Sequence, residues 1–148
     1  YPDGTFKPGN SINRAELLKI LVEGKGISPS TDSYKDCFND VSDQWFAPYI
    51  CYAEETGWVD GYPGGSFKPE QVVSKSEAVK MLLNSQGVDI PSTVGNPFQD
   101  VYEGDWFGPF VGKAKELGIL EETGSLFSPA EGMKRAGICE NLYRLLTY

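Results

Sequence analysis

The sequence predicts a mainly α-helical protein made of repeated helix-loop-helix units, with little or no β-sheet. Two observations carry this: one block of residues recurs along the chain at a fixed period, and each recurrence runs into a segment with helical apolar spacing. The recurring block is Gly4-Thr5-Phe6-Lys7-Pro8, then Gly65-Ser66-Phe67-Lys68-Pro69, then Ser125-Leu126-Phe127-Ser128-Pro129. Phe6, Phe67 and Phe127 are 61 and 60 positions apart, a period of about 60.

An upstream block recurs twice. Phe38-Asn39-Asp40-Val41 leads to Trp45-Phe46-Ala47-Pro48-Tyr49, and Phe98-Gln99-Asp100-Val101 leads to Trp106-Phe107-Gly108-Pro109-Phe110. Each upstream block opens a helix whose apolar stripe is Tyr49, Ile50, Ala53 in one copy and Phe110, Val111, Ala114, Leu117 in the other. Pro48 and Pro109 are tolerated there because a first helical turn leaves its N–H groups unpaired. Gly57 and Gly118 stand where a helix C-cap is expected, and Gly61-Tyr62-Pro63-Gly64-Gly65 is a run of turn formers.

Downstream helices follow, with stripes Leu17, Leu18, Leu21, Val22; Val79, Leu82, Leu83; and Ile138, Cys139, Leu142, Tyr143, Leu146. The expected organisation is half a unit over 1–24, a linker over 25–37, a unit over 38–87, a linker over 88–97 and a unit over 98–148. The first unit has no upstream half. Its helix, at about 13 to 23, needs cover from the other units, another chain or a preceding segment.

Composition excludes several functions. A net charge of -8 with no Lys/Arg cluster repels a phosphate backbone, so nucleic acid is not expected as a partner. No apolar run approaches the roughly 20 residues that span a bilayer, and the first residues lack the basic and apolar regions of a signal peptide. The absence of His removes the usual general base and the commonest zinc ligand. The acidic runs Glu54-Glu55 and Glu121-Glu122 read as solvated rather than as a paired catalytic constellation, and no calcium-loop pattern follows Asp3-Gly4. No enzyme activity, metal or cofactor is expected. Cys37, Cys51 and Cys139 show no CxxC spacing; Cys37 and Cys51 flank one segment and can pair in an oxidising environment, while Cys139 falls on an apolar stripe and reads as a buried thiol.

These blocks resemble the repeats of the S-layer homology family, which run as Phe-x-Asp-Val, Trp, a helix, Gly-Tyr-x-Asp-Gly-x-Phe-x-Pro, then Ile-Thr-Arg-Ala-Glu opening a second helix. Tyr1 to Pro8 and Ile12-Asn13-Arg14-Ala15-Glu16 match the second half closely, and Val73-Ser74-Lys75-Ser76-Glu77 holds the same place in the next unit. The third keeps Asp100, Val101, Trp106 and Arg135-Ala136 but has Gly137 for the Glu and a loop shorter by one. The resemblance implies a pseudo-threefold arrangement of repeats that anchors a protein at the bacterial cell surface by binding an acidic, often pyruvylated, wall polysaccharide in grooves between repeats. It assigns the acid-binding cation to Arg14, Lys75 and Arg135. Lys75 sets one groove apart, because Lys is a point charge where Arg offers a bidentate fork.

The residues also have readings of their own. Asn13 with Glu16, and Ser74 with Glu77, form capping boxes: a short polar N-cap with a Glu reaching back to the cap's N–H. Such a box does not need a cation at its first helical position, where the macrodipole opposes one by roughly 0.3–1 kcal/mol. The recurrence of Arg14, Lys75 and Arg135 at that offset suggests an anion seated on free N–H groups at each helix start and clamped by the side chain; a solvated or ion-paired charge is the alternative. Trp45 and Trp106 can stack on sugar rings, although their place between a Phe-x-Asp-Val segment and a helix favours packing. Asp40 and Asp100 read as acceptors of turn N–H groups, with ligand contact as a second use. Gly4 and Gly65 read as positive-φ turn positions that would also let a ligand approach the backbone. At most one or two working polysaccharide sites are expected. The rival expectation is a self-assembling surface-layer or filament subunit, a homo-oligomer in which a neighbouring chain completes the first unit.

Overall fold

The computed structural model describes residues 9–91, 97–102, 104–120, 122 and 124–147. It is mainly α, with helices α1 (Arg14–Gly24), α2 (Ala47–Glu55), α3 (Lys75–Ser85), α4 (Gly108–Glu116) and α5 (Arg135–Thr147), and only isolated β-bridges among the described residues. Gly4 lies outside the described residues. The short helices α2 and α4 start without a side-chain cap and carry Pro48 and Pro109 in their first turns. They stop at Gly57 and Gly118, whose φ of 82° and 72° only glycine adopts without strain.

The helices pair across the repeat boundaries. α1 packs on α2 and α3 packs on α4, so the downstream helix of one unit lies against the upstream helix of the next; α1 also touches α3. The apolar stripe of α1 is therefore covered: Leu17, Leu18, Leu21 and Val22 are fully buried. The exposed stripe is on α5 instead. Ile138 is buried, but Tyr143 is 64% exposed and Leu146 63%, and Cys139, expected to be buried, is only partly so. The reason is positional. A downstream helix is covered by the next upstream helix, and among the described residues none follows α5.

Three main-chain hydrogen bonds close a cycle at the centre. Ile12 N–H donates to Met133 O (3.0 Å), Met133 to Val73 O (2.8 Å) and Val73 to Ile12 O (3.0 Å), with all three side chains buried. Because these residues hold equivalent places in the three units, the cycle defines a pseudo-threefold axis on which the starts of α1, α3 and α5 converge.

Each full unit is tied together by one carboxylate. Asp40 accepts from the N–H groups of Phe67 and Lys68, both at 2.8 Å. Asp100 does the same with Phe127 (2.8 Å) and Ser128 (2.7 Å). The second donor in each pair, Lys68 or Ser128, sits at a φ of 60° or 61°, a left-handed conformation that aims both N–H groups at one carboxylate. Phe67 and Phe127, fixed by this clamp, are fully buried and stack on Phe38 and Phe98. Cys37 and Cys51 form a disulfide, tying the end of the first linker to α2.

For Asp100, burial acts to raise the pKa, but the N–H groups of Phe127, Ser128 and its own backbone, with Lys75 nearby, outweigh it and hold the carboxyl below its ordinary 3.8. A depressed folded-state pKa contributes stability above the unfolded value that is lost as pH falls through the folded one. Asp100→Asn should therefore lower the melting temperature at pH 7, and its deficit against the parent should shrink as pH is taken below the ordinary carboxylate range. Calorimetric melts at a series of pH values measure this. Reducing the disulfide, which spans a separation of 14 residues, should cost about 3 kcal/mol in a urea titration compared with and without reductant.

Candidate functional site

The convergence at the axis determines the chemistry around it. The first N–H of α1, α3 and α5 donates to a carbonyl of another unit: Arg14 to Gln71 O, Lys75 to Glu131 O and Arg135 to Asn10 O. The second N–H of α1 and α3 is likewise taken, Ala15 by Pro69 O and Ser76 by Pro129 O, and the third by the cap, Glu16 by Asn13 Oδ1 and Glu77 by Ser74 Oγ. The expected seat for an anion on free N–H groups is thus closed at α1 and α3. Main-chain carbonyls have filled it.

The three cations are drawn into a ring of ion pairs between units. Arg14, 3% exposed, donates from Nη1 to Glu77 Oε2 and from Nε to Phe67 O (3.0 Å), with its guanidinium over the rings of Phe67 and Tyr62 at 4.3 and 4.9 Å. Arg135 pairs with Glu16 at 3.4 Å, and Lys75 with Glu122 at 2.5 Å. Of the two expected capping boxes, that of Asn13 and Glu16 is complete; Ser74 caps α3, but the Glu77 carboxylate serves Arg14 and accepts from the Tyr62 hydroxyl at 3.3 Å. Burial pushes the Tyr62 phenol above its ordinary pKa, Arg14 opposing and Glu77 adding.

Glu122 departs from its expected place in a solvated run: its side chain is 19% exposed and holds Lys75; Glu121 lies outside the described residues. The register explains it. Glu122 stands where the preceding unit has Gly61, and Gly137 where that unit has Glu77, so a carboxylate lost from the helix reappears on the loop. The alignment of Gly57 with Gly118 was the available signal.

Trp45 and Trp106 are not core residues. They are 57% and 52% exposed, each meeting the following Phe edge-on, with Lys19 Nζ 5.7 Å from the Trp45 ring centre and Lys80 Nζ 5.5 Å from that of Trp106. Lys19 and Lys80, absent from the sequence reading, lie five residues after Arg14 and Lys75. Arg14, Glu77, Lys80 and Trp106 line one cleft of about 150 Å³, together with Asp60, which pairs with Lys80 at 3.5 Å. The same four roles recur around the axis as Arg135, Glu16, Lys19 and Trp45. The third set is different: Lys75 is followed by Gly137 in place of the Glu and Glu140 in place of the Lys. Asp40 and Asp100 are spent on backbone N–H groups, and Gly65, at a φ of 87°, serves the turn beside Asn39, whose N–H reaches Gly65 O.

Helix-loop-helix units set around one axis, with a cleft in which paired charges lie beside an exposed indole, define a repeat module. The chain belongs to the S-layer homology domain family, whose model matches residues 1–18, 38–79 and 97–136. It is 28% identical over 91% of its length to an uncharacterized cell wall amidase of Bacillus anthracis, and 32% identical over 82% to cell surface glycoprotein 1 of Acetivibrio thermocellus. A cellulosome-anchoring protein of the latter organism is 35% identical over 57% of the chain. The chain spans only 25%, 6% and 20% of those proteins, respectively. These relatives are cell-wall and cell-surface proteins, and no described helix is long and apolar enough to cross a membrane.

The Arg14–Glu77 pair is largely withdrawn from water, so removing one member strands the other. Arg14→Ala should cost about 3–5 kcal/mol in urea denaturation. Arg14→Met combined with Glu77→Leu should recover most of that loss.

Proposed function

We propose that this module holds its parent protein at the bacterial cell surface by binding an acidic, possibly pyruvylated, wall polysaccharide, and that it does so without catalysis. The single observation that carries the reading is the cleft in which Lys80 stands over the exposed face of Trp106 beside the Arg14–Glu77 pair. A sugar ring stacks on the indole, and the acid substituent takes the Lys80 ammonium. Displacing the present partner of Lys80 costs little. Asp60 is 88% exposed, and such surface pairs are worth about 0–1 kcal/mol. Arg14 stays paired with Glu77 and offers no free fork, so the Lys80 ammonium is the cation left for the acid.

The groove of Arg135, Glu16, Lys19 and Trp45 has the same parts and is the second site. Overall the chain carries a net charge of -8, so attraction is confined to these grooves, at contact distances where salt screens it least. A second reading, self-assembly with a neighbouring chain, is favoured by the exposed Tyr143 and Leu146 of α5 and not by the incomplete first unit, whose α1 stripe is buried. Light scattering decides it: a monomer at all concentrations removes that reading and leaves the anchor.

Calorimetric titration of purified acidic wall polymer tests the anchor. Lys80→Ala and Trp106→Ala each remove a surface contact without touching the core, and should each weaken binding about tenfold, equivalent to about 1.4 kcal/mol, with the melting temperature unchanged. Unaltered affinity in the double variant would show the site to be wrong.

A further inference from the structure

Three departures from the repeat meet in one cleft. Lys75 stands where the other units have Arg14 and Arg135, and Glu122 where the preceding unit has Gly61. Asn141, on α5, stands where α1 has Ile20 and α3 has Met81. All three line a cleft of about 130 Å³. Asn141 is 3% exposed at a position that is apolar in the other helices, and its Oδ1 has no hydrogen-bond partner; Glu122 Oε2 is buried and unpaired as well. Buried acceptors without donors cost stability, so the grouping calls for a reason.

The residue types supply one: an amine, a carboxylate and an amide. Lys75 Nζ lies 2.5 Å from Glu122 Oε1, above the Phe127 ring at 5.1 Å. The guanidinium of the other units is always charged, whereas a Lys amine beside a base that takes its proton is a nucleophile. Lys134, the other amine lining the cleft, is exposed and donates to Ser11 Oγ at 3.3 Å. Gly137, one turn before Asn141 on the same face of α5, has no side chain to stand between Lys75 and the amide. Both reactants belong to the chain, so burial of the amide is no obstacle, and closeness replaces the encounter that a separate amine and amide would need.

We infer that Lys75 and Asn141 react in the folded chain to form an isopeptide bond, with Glu122 as proton carrier. The Lys75 ammonium passes a proton to Glu122, which then has a donor for the unpaired Asn141 Oδ1 and polarises its carbonyl. The Nζ lone pair attacks Asn141 Cγ, and the carbonyl pair moves onto Oδ1. As the carbonyl re-forms, the Cγ–Nδ2 bond breaks, Nδ2 takes the proton held by Glu122, and ammonia leaves. The surplus proton on Nζ returns through Glu122 to the ammonia, which departs as ammonium and leaves Glu122 a carboxylate. Nothing is oxidised or reduced. The bond staples the start of α3 to α5, across two units, whatever the module binds.

Intact mass spectrometry of the whole chain, after prolonged incubation in the folded state, tests it. The mass should be lower by one ammonia than that of the disulfide-bonded sequence, and tandem spectra of a tryptic digest should show the Asn141 peptide branched onto Lys75. Lys75→Arg and Asn141→Met each restore a residue that another unit carries, so the fold is kept, and each should abolish the loss and the branched peptide. Glu122→Gln should abolish or greatly slow both. A parent chain at its full sequence mass would overturn the proposal. So would an ammonia loss that persists in Lys75→Arg, which is the mark of succinimide formation at an asparagine, or a Glu122→Gln chain that cross-links as completely as the parent.

Discussion

The three hydrogen bonds that link Ile12, Val73 and Met133 into a cycle set the terms for everything around them. They bring the starts of α1, α3 and α5 to one axis, where positive helix ends would repel one another. Main-chain carbonyls from neighbouring units meet the first N–H of each helix, which answers the dipoles and joins the units in the same step. With those donors used, the cation at each first helical position has no role in capping. It reaches across to a carboxylate of another unit, and Arg14–Glu77, Lys75–Glu122 and Arg135–Glu16 follow one after another around the axis.

The requirement that each cation keep a partner explains an exchange within the chain. Gly137 removes the carboxylate that its position would give to Lys75, and Glu122 restores one from the loop, at a register where Gly61 lies against Phe38 so closely that a Cβ would strike the ring. The two changes are compensating. Pairing is preserved, but the carboxylate approaches from a different side and leaves a cleft over Gly137, so the third groove differs in chemistry and not merely in strength.

Bonds within a unit and contacts between units do separate work. Asp40 and Asp100 each join the upstream and downstream halves of one unit through two turn N–H groups, while the helix pairs α1/α2 and α3/α4 cross from one unit to the next. A unit therefore does not bury its own helices. Stability depends on stacking neighbours, as expected of repeat architectures, and α5, with Tyr143 and Leu146 exposed, has no upstream helix after it among the described residues.

The sequence by itself determined the repeat, its period, the helices and their stripes, and the two clamp aspartates, because each is written in local spacing and turn chemistry. It also placed the cations at Arg14, Lys75 and Arg135 on one offset. Only the tertiary structure decided what those cations face, that Glu77 serves Arg14 rather than its own cap, that Trp45 and Trp106 stand in solvent beneath Lys19 and Lys80, and that the unpartnered stripe is on α5 and not α1. The physical reason is the same in each case. These are contacts between units roughly 60 positions apart, and which unit lies beside which is set by the closing of the ring, a property that no local pattern of residues records.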